Sequence, residues 1–232
     1  LIKVGLFGDS FAHLDKSKNG KSYIEYVNEH SGIHLIPFGV SGSSMYYSYV
    51  KFLENHKDFD KIIYIATHSG RLWIKNATDE KSEHVFNLVS AESVLKNFID
   101  LNEYNKKILK SVVDYYTYIH NAEEHDIYHD FMKKSILEKR NDTLLIDGFN
   151  FTGVTTKNLS LMDVARLDFI EKDRYIFGNF DYIDMRPNHL NEYNTVVFAN
   201  KIINWILYDN FEFDNLDDFK STTGIASYYS TI

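Results

Sequence analysis

Three short apolar runs fill the first third of the chain, and each stops abruptly at small or polar residues. They span residues 2–7 before Gly8-Asp9-Ser10, residues 33–38 before Gly39-Val40-Ser41-Gly42-Ser43-Ser44, and residues 61–67 before His68-Ser69-Gly70-Arg71. Short apolar runs of this kind read as strands buried on both faces. Between them the spacing turns helical, with Tyr23, Ile24 and Val27 on one face of residues 22–30. A second helix is predicted over 45–55, capped by Ser43 or Ser44. Strand and helix in alternation predict a parallel sheet with helices on both faces and right-handed connections. Sheets of this kind hold their ligands beyond the carboxyl ends of the strands, where the three polar endings above would gather.

The rest of the chain extends the pattern. Residues 73–87 have no clear period and read as an excursion over the ligand edge. Residues 91–140 are largely helical, with Ile108, Leu109, Val112 and Val113 on one face and a break near Asn121. A fourth strand covers 143–146 and ends at Asp147-Gly148. A short helix is predicted over 160–172, capped by Ser160 with Asp163 at its third position. A loop over 177–187 has room for a short fifth strand, and the last helix covers about 191–208. The expectation is an α/β fold: one three-layer α/β/α domain over residues 1–208, flavodoxin-like, with a parallel sheet of about five strands. Residues 209–232 read as an acidic, aromatic tail.

Composition removes several classes of function. The net charge of −8 and the lack of a basic cluster argue against nucleic-acid binding, which needs a basic face for phosphate. The absence of cysteine removes disulfides, thiolate metal sites and a cysteine nucleophile. No run reaches membrane-spanning length, and no basic-then-apolar leader precedes the first strand. The compartment is left open between cytoplasmic and virion-associated. The first residue is Leu rather than Met, consistent with a trimmed start. No glycine-rich phosphate loop is present, and no cofactor is expected.

Ser10 follows a buried strand at the edge where ligands bind, so it can serve as a nucleophile if a base reaches it. His189 stands in Arg186-Pro187-Asn188-His189-Leu190, a loop that leads directly into the last helix. Its neutral imidazole is a base suited to pH 7. A serine near the start and a histidine before the last helix resemble the SGNH, or GDSL-type, hydrolases. Gly8-Asp9-Ser10 matches that family's first block, and His189 matches its last.

The resemblance implies cleavage of a carboxylic ester through an acyl-serine intermediate. The substrate would be a small molecule or a carbohydrate ester, such as one bearing an O-acetyl group. Gly42 matches the second-block glycine and, with the Ser10 amide, would hold the oxyanion. The third block's asparagine is replaced by His68, whose N–H can also donate. Where the family carries an aspartate three residues before the histidine, this chain has Arg186. Asp184, Asp181 or a backbone carbonyl is then left to orient His189. Arg71 would hold an anionic part of the substrate or pair with a surface carboxylate. The Arg-Pro-Asn-His-Leu stretch also resembles versions of this fold in phage-related proteins. An acyltransferase on the same fold, or a binding module with eroded catalysis, are the other classes left open.

A second constellation competes. His125 and His129 stand four apart on a predicted helix, as in zinc proteases, with His120 and Glu124 nearby. Asp126 replaces the general-base glutamate and no third ligand is evident, so this stretch reads as a solvated helix face without a metal.

Overall fold

The computed structural model describes residues 1–14, 21–79, 82–86, 103–148, 160, 161, 164, 190–213 and 215–220. Among the described residues four parallel strands form the central sheet: β1 (Ile2–Phe7), β2 (Ile33–Pro37), β3 (Lys61–Ala66) and β6 (Thr143–Asp147), in the order β2-β1-β3-β6. Val4 of β1 pairs with Leu35 of β2 on one side and Lys61 of β3 on the other. The short fifth strand expected within 177–187 lies outside the described residues.

Helices α1 (Tyr23–Glu29), α2 (Met45–Asn55), α3 (Glu103–Tyr118), α4 (Ala122–Lys139) and α5 (Glu192–Tyr208) complete the frame. In the region of residues 73–87, read as an excursion, β4 (Leu72–Asp79) and β5 (Ser82–Phe86) pair antiparallel outside the parallel sheet. The helix break expected near Asn121 falls there, and Asn121 caps α4 by accepting from the amides of Glu123 and Glu124.

The strand period of two divides the side chains between two cores. Val4, Leu6, Ile63, Ile65, Leu144 and Ile146 meet Ile24 and Val27 of α1 and Phe198, Ile202 and Ile206 of α5. Phe7, Ile62, Tyr64, Ala66 and Leu145 face the other way, toward Met45 and Phe52 of α2 and Ile136 of α4. The result is the three-layer α/β/α fold. Each fully buried aliphatic or Phe side chain contributes about 1.5–3 kcal/mol.

Caps fix where the helices begin. Ser22 and Glu25 form a reciprocal capping box on α1, a direct product of the Ser-x-x-Glu spacing. Ser44 caps α2, which frees Ser43 for another task described below. Asn191 caps α5 through the amide of Asn194 at 2.7 Å.

Past α5 the chain does not leave the domain at once. Asp209 takes a left-handed turn (φ 54°), and Phe211, Phe213 and Phe219 are buried against Phe198 and α5. Of the helix expected over 160–172, Ser160, Leu161 and Val164 are described, and all three are buried. Among the described residues no helix is long and apolar enough to cross a membrane.

Candidate active site

β1 lies between β2 and β3, so the connections out of β1 and out of β2 leave the sheet centre in opposite directions. That reversal opens a crevice beyond the carboxyl ends of β1 and β3, the place where open α/β sheets bind ligands. Gly8-Asp9-Ser10 enters it from β1, and residues 67–71 enter it from β3.

Ser10 begins a single 3-10 turn, Ser10–Ala12, whose cap is Asp9. The Asp9 side chain accepts from the Phe11 amide at 3.2 Å, and its carbonyl accepts from the Ala12 amide at 3.0 Å. Ser10 is buried, with 6% of its surface exposed.

Asp9 is a carboxylate with no solvent exposure, and the serine turn and the segment after β3 meet on it. The Thr67 hydroxyl donates to Oδ2 at 2.7 Å, and Arg71 Nη1 donates to the same oxygen at 2.6 Å. The same Nη1 also reaches Thr67 Oγ1 at 2.9 Å and the Ser43 carbonyl at 3.3 Å. Arg71, expected to hold an anionic substrate group or a surface carboxylate, thus binds a buried one. Its head ties together the ends of β1 and β3 and the loop before α2.

The loop after β2 carries two glycines with different duties. A side chain at Gly39 would stand 2.3–2.5 Å from the Ala12 carbonyl group and the Asp9 carbonyl oxygen, so only glycine lets this loop lie against the serine turn. Its amide donates to the Ala12 carbonyl at 3.2 Å. Gly42 has φ +79° and open space where a side chain would be, so its glycine serves conformation rather than packing. Ser43 and Ser48 both donate to the Gly8 carbonyl, at 3.1 and 2.9 Å, fixing the end of β1.

His68 is exposed, and its Nδ1 accepts from the Gly70 amide at 2.9 Å. That bond assigns the proton of the neutral ring to Nε2, which makes Nε2 a donor. Although the residue is exposed overall, its ring is partly desolvated by its neighbours; that, then the Arg71 charge, holds its pKa below the ordinary histidine value.

The reading of His125 and His129 as a solvated face is corrected. His129 is 2% exposed, and its Nε2 donates to the Thr67 carbonyl at 2.6 Å. Burial, then the charge of Lys133, push its pKa down to about 4. His125 is half-buried between Ser69 and Tyr115. One turn beyond His129, Lys133 is fully buried and pairs with Asp147 at 2.9 Å. Among the described residues no group of three or more His, Asp or Glu could hold a metal ion.

Of the residues singled out in the sequence, Ser10, Gly42, His68 and Arg71 come from the segments that follow β1, β2 and β3. His189, Asp184 and Asp181 lie outside the described residues. The site roles of Asp9, Thr67 and Ser43 were missed, and His129 was read as solvated. Asp9 stood inside the Gly-Asp-Ser motif, and the polar ending of β3 was the available signal for Thr67.

No protein-family model matches the chain, and no curated protein matches it. Similar solved structures include an acetylxylan esterase from Geobacillus stearothermophilus, at 13% identity and TM-score 0.37 over 92% of this chain and 96% of that one. The acetyl xylan esterase AlAXEase is 14% identical with TM-score 0.29, over 63% of this chain and 77% of the other. A G-D-S-L family protein from Desulfitobacterium hafniense DCB-2 gives 12% and 0.29 over 100% and 99% of the two chains. At these scores the likeness names neither a family nor a reaction for this chain.

Proposed function

We propose that this protein is a serine esterase that cleaves a carboxylic ester on a small molecule or carbohydrate. Ser10 attacks the acyl carbon while His189 takes the hydroxyl proton. The oxyanion is held by the amides of Ser10 and Gly42 and by Nε2–H of His68. Collapse of the tetrahedral intermediate expels the alcohol, which takes the proton from His189. Water activated by the same ring then releases the acid and restores Ser10. Asp184 or Asp181 would orient the ring.

The observation that carries this reading is the direction of α5. Lys61, the first residue of β3, donates to the Trp205 carbonyl at 3.1 Å and pairs with Asp209. The carboxyl end of α5 therefore lies at the amino edge of the sheet. Seventeen helical residues span about 25 Å. Six strand residues span about 20 Å. The first turn of α5 must then reach the carboxyl edge, where Ser10 lies. Tyr23 supports the same path: its ring packs edge-on against Phe198 of α5, and its hydroxyl donates to the Phe11 carbonyl. Leu190, the residue after His189, packs on that core. The amide of Gly39 is spent on Ala12, which favours Gly42 as the second oxyanion donor.

The test is hydrolysis of p-nitrophenyl acetate by wild type, S10A and H189A. Both variants should lose at least about 10³-fold in kcat while keeping the wild-type thermal transition. Activity untouched in S10A would refute the serine mechanism.

A further inference from the structure

We infer that Arg71 is a positioning residue: its guanidinium neutralises Asp9 and thereby holds the turn that aims Ser10. The inference rests on the esterase reading, in which Arg71 is neither the nucleophile nor the base. Asp9 has no solvent exposure, and Oδ2 has two donors from the segment after β3, the Thr67 hydroxyl and Arg71 Nη1. Of these, Arg71 carries the charge. The other carboxylate oxygen holds the Phe11 amide, one residue beyond Ser10. Neutralising Asp9 and ordering the serine turn are therefore tasks of one side chain with two ends. The Ser43 carbonyl, also on Arg71 Nη1, extends the clamp to the loop that carries Gly42. Arg71 thus sets nucleophile and oxyanion loop relative to each other.

Lysine cannot reproduce this arrangement. The carboxylate, hydroxyl and carbonyl contacts all fall on Nη1, and the shorter lysine stem leaves its ammonium short of that position, so it carries the charge without reaching all three. Without the cation, Asp9 is left as a buried carboxylate without a counter-charge, which favours movement of the turn toward water. Among the described residues, the titratable groups facing Asp9 are Arg71 after β3, Tyr23 of α1 and Tyr64 of β3. Both phenols are raised well above the ordinary tyrosine value, by burial first and by the Asp9 charge as a lesser cause, so both are neutral across the working range.

The test compares wild type, R71M, R71K, D9N/R71M and S10A on p-nitrophenyl acetate from pH 5 to 9. R71M should lose about 10–100-fold in kcat with KM changed less than about two-fold, the signature of a misplaced nucleophile. D9N/R71M, which removes both charges, should recover most of the loss, and R71K should recover part. This double variant also serves if R71M alone does not fold. A kcat within about two-fold of wild type in R71M, with S10A inactive, overturns the inference and leaves the serine reading standing. A raised KM at unchanged kcat overturns it in favour of substrate contact. S10A with full activity overturns the serine reading, and this inference with it.

Discussion

Replacing Lys133 by Met tests how the polar side of the sheet edge is held. Lys133 is 0% exposed and Asp147 5%, and their charged atoms lie 2.9 Å apart. Methionine fills nearly the same volume, so the substitution removes the charge with little loss of packing. The carboxylate of Asp147 is then buried without its partner. Breaking one half of a buried pair costs about 3–5 kcal/mol. For a domain of this size the melting temperature should fall by about 6–20 °C. The pH dependence gives a second reading. Burial already raises the Asp147 pKa above the ordinary aspartate value, and Lys133 pulls it back. A raised folded-state pKa means stability that is full below the unfolded value of 3.8 and lost as pH rises through the folded one. Removing Lys133 raises that pKa further, so the K133M deficit should be largest at neutral pH and shrink on acidification. Loss of the Lys133 charge also eases protonation of His129, which works in the same direction. K133M/D147N, with no buried charge, should recover most of the loss. Scanning calorimetry at pH 7 and pH 5 measures all of this. A K133M transition within about 2 °C of wild type at pH 7, or a double variant no more stable than the single, would refute the reasoning.

Two further outcomes follow from the same edge. His129 has a folded pKa of about 4 against an ordinary 6.5, so its contribution to stability is present above pH 6.5 and lost as pH falls toward 4. That contribution is about 3 kcal/mol, and H129Q should flatten the stability profile across this window in denaturant titrations. G39A should cost well over 2 kcal/mol, because its methyl group would collide with backbone of the serine turn. G42A should cost only about 1–2 kcal/mol for its left-handed backbone, and paired urea curves would separate the two glycines.

Much of this frame was legible in advance, because it follows from local rules. The four strands, the break at Asn121 and the cap at Ser44 each depend on residues within a few positions of one another. The inward face of α4 was not legible, because its burial runs against its hydropathy. Ile127 and Phe131 are 62% and 68% exposed, while His129 and Lys133 lie inside. A helical period read from apolar residues therefore points to the wrong face. The inward face is set by partners on other elements, Thr67 beyond β3 and Asp147 at the end of β6. The segment after α5 failed differently. Phe211, Glu212 and Phe213 alternate buried, exposed, buried, a pattern too short to outweigh the surrounding acidic residues. At the site, the Gly-Asp-Ser motif directed attention to the serine, whereas the hydrogen bonds converge on the aspartate before it. Which glycine of the second loop packs and which turns depended on the approach of Ala12, a contact across 27 positions.

Thr67 joins the two charged clusters that flank the end of β3. Its hydroxyl donates to Asp9, and its carbonyl accepts from His129 one helical turn from Lys133. One residue thus links the Arg71–Asp9 pair on the β1 side to the Lys133–His129 face on the β6 side. Apolar packing cannot do this work at the edge, since an active crevice must admit a polar ligand and water. A fully bonded polar network can stiffen such an edge, because each donor has a fixed partner and any shift leaves a buried charge exposed to a low dielectric. The arrangement contributes little net stability for its charges. Its effect is selectivity among backbone arrangements: a turn of the serine segment that broke the Asp9 contacts would strand a buried carboxylate without its donors. The cost of movement, rather than the depth of the well, is what would keep a nucleophile at this edge aimed.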